Sequence, residues 1–264
     1  MIRLCVAGAT GRMGSTLIRE ALNRGFEIVG ALAAPAESSI GKTLRELGIC
    51  SLDLTVMDPS KLEDAASNAD VYISFTSPKA ELVNIPRVAD LGKRIVMGTT
   101  GFTDEEFNKL KDYTAKHVPA VFAPNFSIGV NFMFKMLKTL KALPEDYDIS
   151  VVEAHHVGKK DAPSGTALSI AKLISEIRGY RQTVYGREGI SPRKPEEIEV
   201  VSVRAGGIPG IHKIIVAGAY DMITIEHVAF SRSVFALGAL HAAEWLMRLT
   251  KPGVYSMEDV LEVE

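Results

Sequence analysis

The chain has 264 residues, 47% of them hydrophobic and 23% charged, with 30 basic and 32 acidic residues for a formal net charge of −2. That is enough to bury a large core in two modest domains or one large one. The near balance of charge argues against a nucleic-acid or membrane partner and for a small-molecule ligand.

The N-terminus MIRLCVAGATG has too short an apolar run for a signal peptide. No segment approaches the ~18–20 apolar residues of a membrane span, so a soluble cytoplasmic protein is expected. Residues 2–9 form an apolar run ending in glycine, and Cys5 within it is expected to be a small buried hydrophobe. Cys5 and Cys50 form no disulfide framework. Residues 12–24 place Leu17, Ile18, Ala21 and Leu22 at helical spacing, and Gly25 ends that helix. Apolar strands are expected at 26–34, 70–75, 94–98 and 118–124, with a helix near 79–91. Strands alternating with helices mean a parallel sheet with crossover helices.

The pattern changes after about residue 127. Residues 197–207, 211–219 and 220–230 are strand-like runs joined by short turns, which predicts a mixed or antiparallel sheet and a second domain. Residues 234–250 then read as an apolar helix that chain order alone assigns to neither domain, and GVYSMEDVLEV follows.

Gly8-Ala-Thr-Gly11-Arg-Met-Gly14 follows the first strand and opens the first helix. Such glycines permit a tight turn and close approach of a pyrophosphate, and the helix N-terminus offers N–H groups and positive dipole. The rival reading is a turn that is glycine-rich for steric reasons. An acidic residue usually ends the second strand and binds the adenosine ribose hydroxyls. Here Ala33 and Ala34 stand at that tip. Arg12, Ser38, Ser39 and Lys42 are available to a 2′-phosphate, so NADPH is expected to be accepted, alone or alongside NADH. The alternative is that Glu37 folds back and takes the usual acidic role.

The stretch EAHHVGKKDAPSGTA occupies 153–167. The preceding run has strand period two, so His155 and His156 point to opposite faces and are poorly placed to share a metal. No metal site is expected. Asp161 or Ser164 can cap a helix whose buried face begins at Ala167, leaving the amides of Gly165 and Thr166 to cradle a carboxylate. Lys159 and Lys160 add positive potential. The segment thus reads either as an acid beside an anion cradle or as a capped helix with solvated lysines.

These residues resemble the dihydrodipicolinate reductase family. Besides EAHHVGKKDAPSGTA, the blocks VAGATGRMG, GTTGF (98–102), APNFSIGVN (123–131), SVRAGGIPG (202–210) and GVYSMEDVL follow the family's order, so the resemblance covers essentially the whole chain. It implies NAD(P)H-dependent reduction of 4-hydroxy-tetrahydrodipicolinate to tetrahydrodipicolinate with loss of water, in the diaminopimelate route to lysine. It further implies a Rossmann-like cofactor domain over 1–126 plus 235–264, and a substrate and oligomerisation domain over 127–234, in a homotetramer. A cyclic dicarboxylate is the implied substrate.

By the same resemblance His155 is the proton donor and Lys159 a second one. His156, Gly165 and Thr166 contact substrate, and Lys160 gives electrostatic support only. Gly8, Ala9, Thr10, Gly11, Arg12 and Met13 form the pyrophosphate loop. Gly98, Thr99 and Thr100, with Ala123, Pro124, Asn125 and Phe126, surround the nicotinamide. Many family members carry an acid where Ala33 and Ala34 stand, so cofactor preference does not transfer. A dehydrogenase acting on an aspartate-like substrate would share the glycine loop but not the long histidine block. A nucleotide-binding sensor would need to lack the proton chemistry that His155 and Lys159 offer.

Overall fold

In a computed structural model, which describes residues 1–261, the chain divides into two compact units. One spans residues 1–128 and 232–264, the other 129–231.

The first unit is built on β1 (Arg3–Ala7), α1 (Arg12–Asn23), β2 (Glu27–Leu32), α2 (Leu62–Ala66), β3 (Val71–Ser74), α3 (Pro78–Asp90), β4 (Arg94–Met97), α4 (Asp104–His117) and β5 (Pro119–Phe122). The alternation of strand side chains decides how it is layered. Leu4 and Val6 of β1, Val71 and Ile73 of β3, Val96 of β4 and Val121 of β5 face one core, shared with Leu17 and Ile18 of α1. Cys5, Tyr72, Ile95, Met97, Ala120 and Phe122 face the other, against α2, α3 and α4. Both faces are covered, which is why these strands read as continuous apolar runs. Burial pushes the Cys5 thiol up to about 12, so it behaves as the small hydrophobe expected of it.

Strands run parallel, and the order places β3 and β2 on opposite sides of β1. Chain direction across the sheet reverses there, and such a switch point opens a crevice at the carboxyl ends of the strands.

The second unit contains α5 (Ile128–Leu137, its first residue in the first unit), β6 (Asp148–His155), α6 (Gly165–Arg178), β7 (Gln182–Val184), β8 (Glu197–Arg204), β9 (Ile211–Ala217) and β10 (Met222–Val228). The sheet order is β10-β9-β6-β8-β7. Strand β6 is parallel to β8 and antiparallel to β9, the mixed sheet expected from the sequence. Ile149 and Val151 of β6, Ile198 and Val200 of β8, and Ile214 and Val216 of β9 bury one face against α5 and α6. On the other face Val203, Met222 and Val228 are exposed.

The late apolar run becomes α7 (Ser233–Leu246), shorter than the 234–250 expected, and it joins the first unit's core through Ala236, Leu240 and Leu246. It is followed by β11 (Gly253–Tyr255) and α8 (Met257–Val260). Sequence periodicity did not reveal β11, because three residues are too few to show a period. It pairs with β5 as the sixth parallel strand. Helix α4 was also unanticipated, although Thr103 and Glu106 make a reciprocal capping box at its start. Residues 262–264, which include the last two residues of the closing segment GVYSMEDVLEV, lie outside the described residues. Among the described residues no helix is long and apolar enough to cross a membrane.

Candidate active site

In the first unit the glycine turn leads from β1 into α1. Gly8 has φ +74°, and a Cβ there would stand 2.5 Å from the Phe75 carbonyl oxygen. A Cβ on Gly14 would stand 2.1 Å from the Gly8 carbonyl oxygen. Real Cβ contacts are never so short, so both positions require glycine. Helix α1 has Gly11 at its N-cap, so it starts without a side-chain cap and without an acid in its first turn. Its leading N–H groups and positive dipole therefore suit an anion such as a pyrophosphate.

A cavity of about 320 Å³ opens beside this turn, lined by Gly8, Thr10 and Gly11 on one side and Ala33, Ala34 and Glu37 on the other. Glu37 folds back to the tip of β2: its Oε2 accepts from the Ala34 amide at 3.2 Å. This is the fold-back that stood as the alternative in the sequence, and it gives the strand tip a carboxylate in place of the bare Ala33 and Ala34. The turn, the helix start and this cavity fit a dinucleotide.

The remaining expected cofactor residues are dispersed in character. Ala9 and Phe126 are buried in the core, and Phe126 packs edge-on to Phe75 with ring centroids 5.9 Å apart. Met13 packs against the same core, Ala123 is buried there, and Arg12, Thr100 and Pro124 are exposed. Asn125 accepts the Ser127 amide through Oδ1 at 2.8 Å. Gly98 abuts Phe75, whose ring a Cβ would meet at 2.1 Å. Thr99 accepts the Thr76 amide at 2.9 Å and donates to the buried Glu81 at 2.8 Å. Burial pushes the Glu81 carboxyl up. Phe75, Thr76 and Ser77 line the cavity and were not anticipated, since the turn after β3 carries no recognisable spacing.

In the second unit β6 delivers His155 at its last position, where the ring is buried, and His156 follows just beyond it, half-buried. His155 Nδ1 lies 2.5 Å from Glu153 Oε2. Strand register brings the rest of the cluster: Glu153 stands beside Ser202 on β8 and His212 on β9, and His155 beside Arg204. The His155 and His212 rings meet edge-on, 5.3 Å apart. A Cβ on Gly210 would come within 3.3 Å of His155 Nε2, so glycine keeps that edge of the ring clear.

Burial opposes the charge on Glu153, but bonds from Arg204, His155 and the Ser164 amide outweigh it and hold this carboxyl down at about 2. Burial pushes the His155 imidazole below its ordinary value, against the pull of Glu153. Burial first, and then the neighbouring His155, push His212 down to about 4.

Helix α6 starts beside this cluster. Ser164, not Asp161, caps it by accepting the Ala167 amide at 3.2 Å, and Gly165 and Thr166 supply the first two helical amides. Lys159 pairs with Asp161 at 2.9 Å, and Lys160 is exposed. The structure therefore gathers His155 and the start of α6 through Glu153, which binds both. Glu153, Arg204 and His212 are the members that sequence reasoning missed. Period two placed Glu153 on the face of His155, and Arg204 lay in the SVRAGGIPG block without an assigned role, but nothing in the linear sequence pointed to His212. Chemically, the cluster offers an imidazole for proton transfer beside a helix start that suits a carboxylate.

Comparisons with known proteins match both halves of the chain. The family model for the dihydrodipicolinate reductase N-terminus matches residues 2–126, and the C-terminal model matches residues 129–261. A 4-hydroxy-tetrahydrodipicolinate reductase of Methanosarcina barkeri is 44% identical over 266 residues, covering 99% of each chain. One from Trichlorobacter lovleyi is 43% identical over the same span and coverage. Among solved structures, a dipicolinate-bound dihydrodipicolinate reductase from Paenisporosarcina superposes with a TM-score of 0.77 at 25% identity, over 99% of this chain and 100% of that one. An aspartate semialdehyde dehydrogenase from Vibrio cholerae shares the fold alone, at a TM-score of 0.58 and 15% identity, over 94% of this chain and 99% of that one. With both halves matched in order and relatives aligned end to end, the chain belongs to the dihydrodipicolinate reductase family.

Proposed function

We propose that this chain reduces 4-hydroxy-tetrahydrodipicolinate to tetrahydrodipicolinate with loss of water, as a cytoplasmic NAD(P)H-dependent enzyme of the diaminopimelate route to lysine. The observation that carries this reading is the His155 ring, buried at the end of β6 with its Nε2 edge kept clear by Gly210, beside the start of α6.

The reduced nicotinamide, when bound, supplies the hydride. The first unit's own residues hold and orient it: the turn of Gly8, Ala9, Thr10, Gly11, Arg12 and Met13 for the pyrophosphate, the segments around Gly98–Thr100 and Ala123–Phe126 for the ring. In the second unit the Gly165 and Thr166 amides and the Thr166 hydroxyl receive one substrate carboxylate, with His156 as a further contact. His155 gives its proton from Nε2 as negative charge develops on the ring, and Lys159 supplies or relays a second proton. Lys160 adds positive potential only. The dipicolinate bound by the Paenisporosarcina relative is a planar dicarboxylate of the same kind, which supports this choice of substrate.

Both cofactors are read as substrates. Glu37 at the strand tip favours the free 2′-hydroxyl of NADH, while Arg12 and Lys42 are available to the 2′-phosphate of NADPH. A homotetramer is proposed through the second unit, supported by the exposed apolar side chains of Val203, Met222 and Val228 on one sheet face. Light scattering of Val203→Asp should then show smaller species than the unchanged chain.

The deciding assay supplies the product of the upstream condensation and follows oxidation of NADPH and NADH separately. Turnover inhibited by pyridine-2,6-dicarboxylate is expected. Absence of oxidation with either cofactor would sink the assignment.

A further inference from the structure

Behind His155 lies a carboxylate that the reaction itself does not consume. Glu153 is fully buried, yet every approach to it is occupied. Arg204 donates from Nη1 to Oε2 at 3.0 Å and from Nη2 to Oε1 at 2.8 Å. The Ser164 amide donates to Oε1 at 3.1 Å, and His155 Nδ1 closes on Oε2 at 2.5 Å. A buried carboxylate survives only when such partners replace its water. An ionised carboxylate accepts hydrogen bonds and donates none, so the ring nitrogen facing it must carry the hydrogen.

Two consequences meet at this residue. One ring nitrogen of His155 is committed to the protein, which leaves Nε2 as the atom that exchanges protons, on the edge that Gly210 keeps clear. The same carboxylate also binds the amide of Ser164, the residue that caps α6. We propose that Glu153 is the positioning residue of the reaction: it fixes the His155 tautomer with Nε2 outward, and it ties that ring to the helix start that receives the substrate carboxylate. This rests on the proposed role of His155.

The groups facing His155 act in opposite directions. Glu153 on β6 favours the imidazolium, whereas Arg204 on β8 and Lys159 before α6 disfavour it. His212 on β9 faces the ring as a neutral neighbour, and Asp161 offsets Lys159 through their ion pair. Removing the Glu153 charge therefore lowers the His155 pKa, and the acid form is lost at lower pH.

The test has two arms in the full-length chain. In the first, nitrogen-15 spectra of the unchanged protein read the neutral His155 tautomer directly. Hydrogen on Nδ1 is expected, and hydrogen on Nε2 overturns the proposal. In the second, Glu153→Gln is compared with the unchanged enzyme across pH. The alkaline limb of kcat/KM should move down by about one unit or more, with kcat lowered about 10²-fold and NADPH affinity unchanged. A lowered kcat with an unmoved limb means that Glu153 serves only to neutralise Arg204, and it overturns the proposal. If Glu153→Gln does not fold, the tautomer of the unchanged protein still decides. If the unchanged protein reduces no substrate, the reading of function fails, while the tautomer arm still judges Glu153.

Discussion

The two candidate subsites are made of different materials. The glycine turn of the first unit is backbone: its specificity lies in the absence of side chains at Gly8 and Gly14, where a Cβ would strike a carbonyl oxygen. The candidate proton site of the second unit is side chain: a buried carboxylate, a guanidinium and two imidazoles brought together from three strands. A backbone site is held by local geometry and is sensitive to added bulk. A side-chain site is held by charge and is sensitive to protonation. Damage to one should therefore leave the other's signature intact, and that separation can be tested.

The largest effect should come from the proton site. His155→Gln is expected to lower kcat by about 10²–10⁴ with no change in NADPH affinity by fluorescence titration, and Lys159→Ala should act in the same direction. Wild-type turnover in either variant removes its assigned role. The pH profile sharpens the same point. The His155 pKa lies below its ordinary value near 6.5, so the acid form is present at low pH and lost as pH rises through that lowered value. The free-enzyme kcat/KM should accordingly fall on an alkaline limb that begins below about 6.5. A profile flat from pH 5 to 8 would exclude His155 as the acid.

Gly14→Ala should do the reverse. The added methyl meets the Gly8 carbonyl, so dinucleotide affinity should fall at least about tenfold and stability by about 1–3 kcal/mol, read from a urea midpoint. Position of the pH limb should not move. A shifted limb in this variant would mean that the two subsites are not separable.

Glu37→Gln probes the strand tip. Loss of the carboxylate should raise the ratio of NADPH to NADH efficiency about tenfold, which corresponds to about 1.4 kcal/mol. An unchanged ratio would show that Glu37 does not reach the ribose. The smallest effect should be Ser164→Ala, which removes the cap on the Ala167 amide and about 1 kcal/mol of stability, measured by denaturant titration.

The same contrast explains how much could be read in advance. The parallel sheet, α1, α3 and the glycine turn were legible because their signals are local: apolar runs, helical spacing, and glycines within seven residues. Ser164 as a cap and α6 behind it were legible for the same reason. Helix α4 was missed despite Thr103 and Glu106, whose capping box is a local signal that can be read. Strand β11 was out of reach, because three residues carry no periodicity and it exists by pairing with β5. Glu37 sits only three residues beyond Ala34, yet its return to the strand tip depends on how the chain folds back after β2.

By itself, the sequence determined the strand–helix alternation of the first unit, the strand-rich second unit, the glycine turn and the His-His segment whose resemblance identified the family. Tertiary structure alone decided that Arg204 and His212 complete the cluster around Glu153 and His155, and that Thr99 bridges Thr76 and Glu81. These contacts join residues far apart in the chain. Strand register and loop closure bring them together, and neither is written in the spacing of nearby residues.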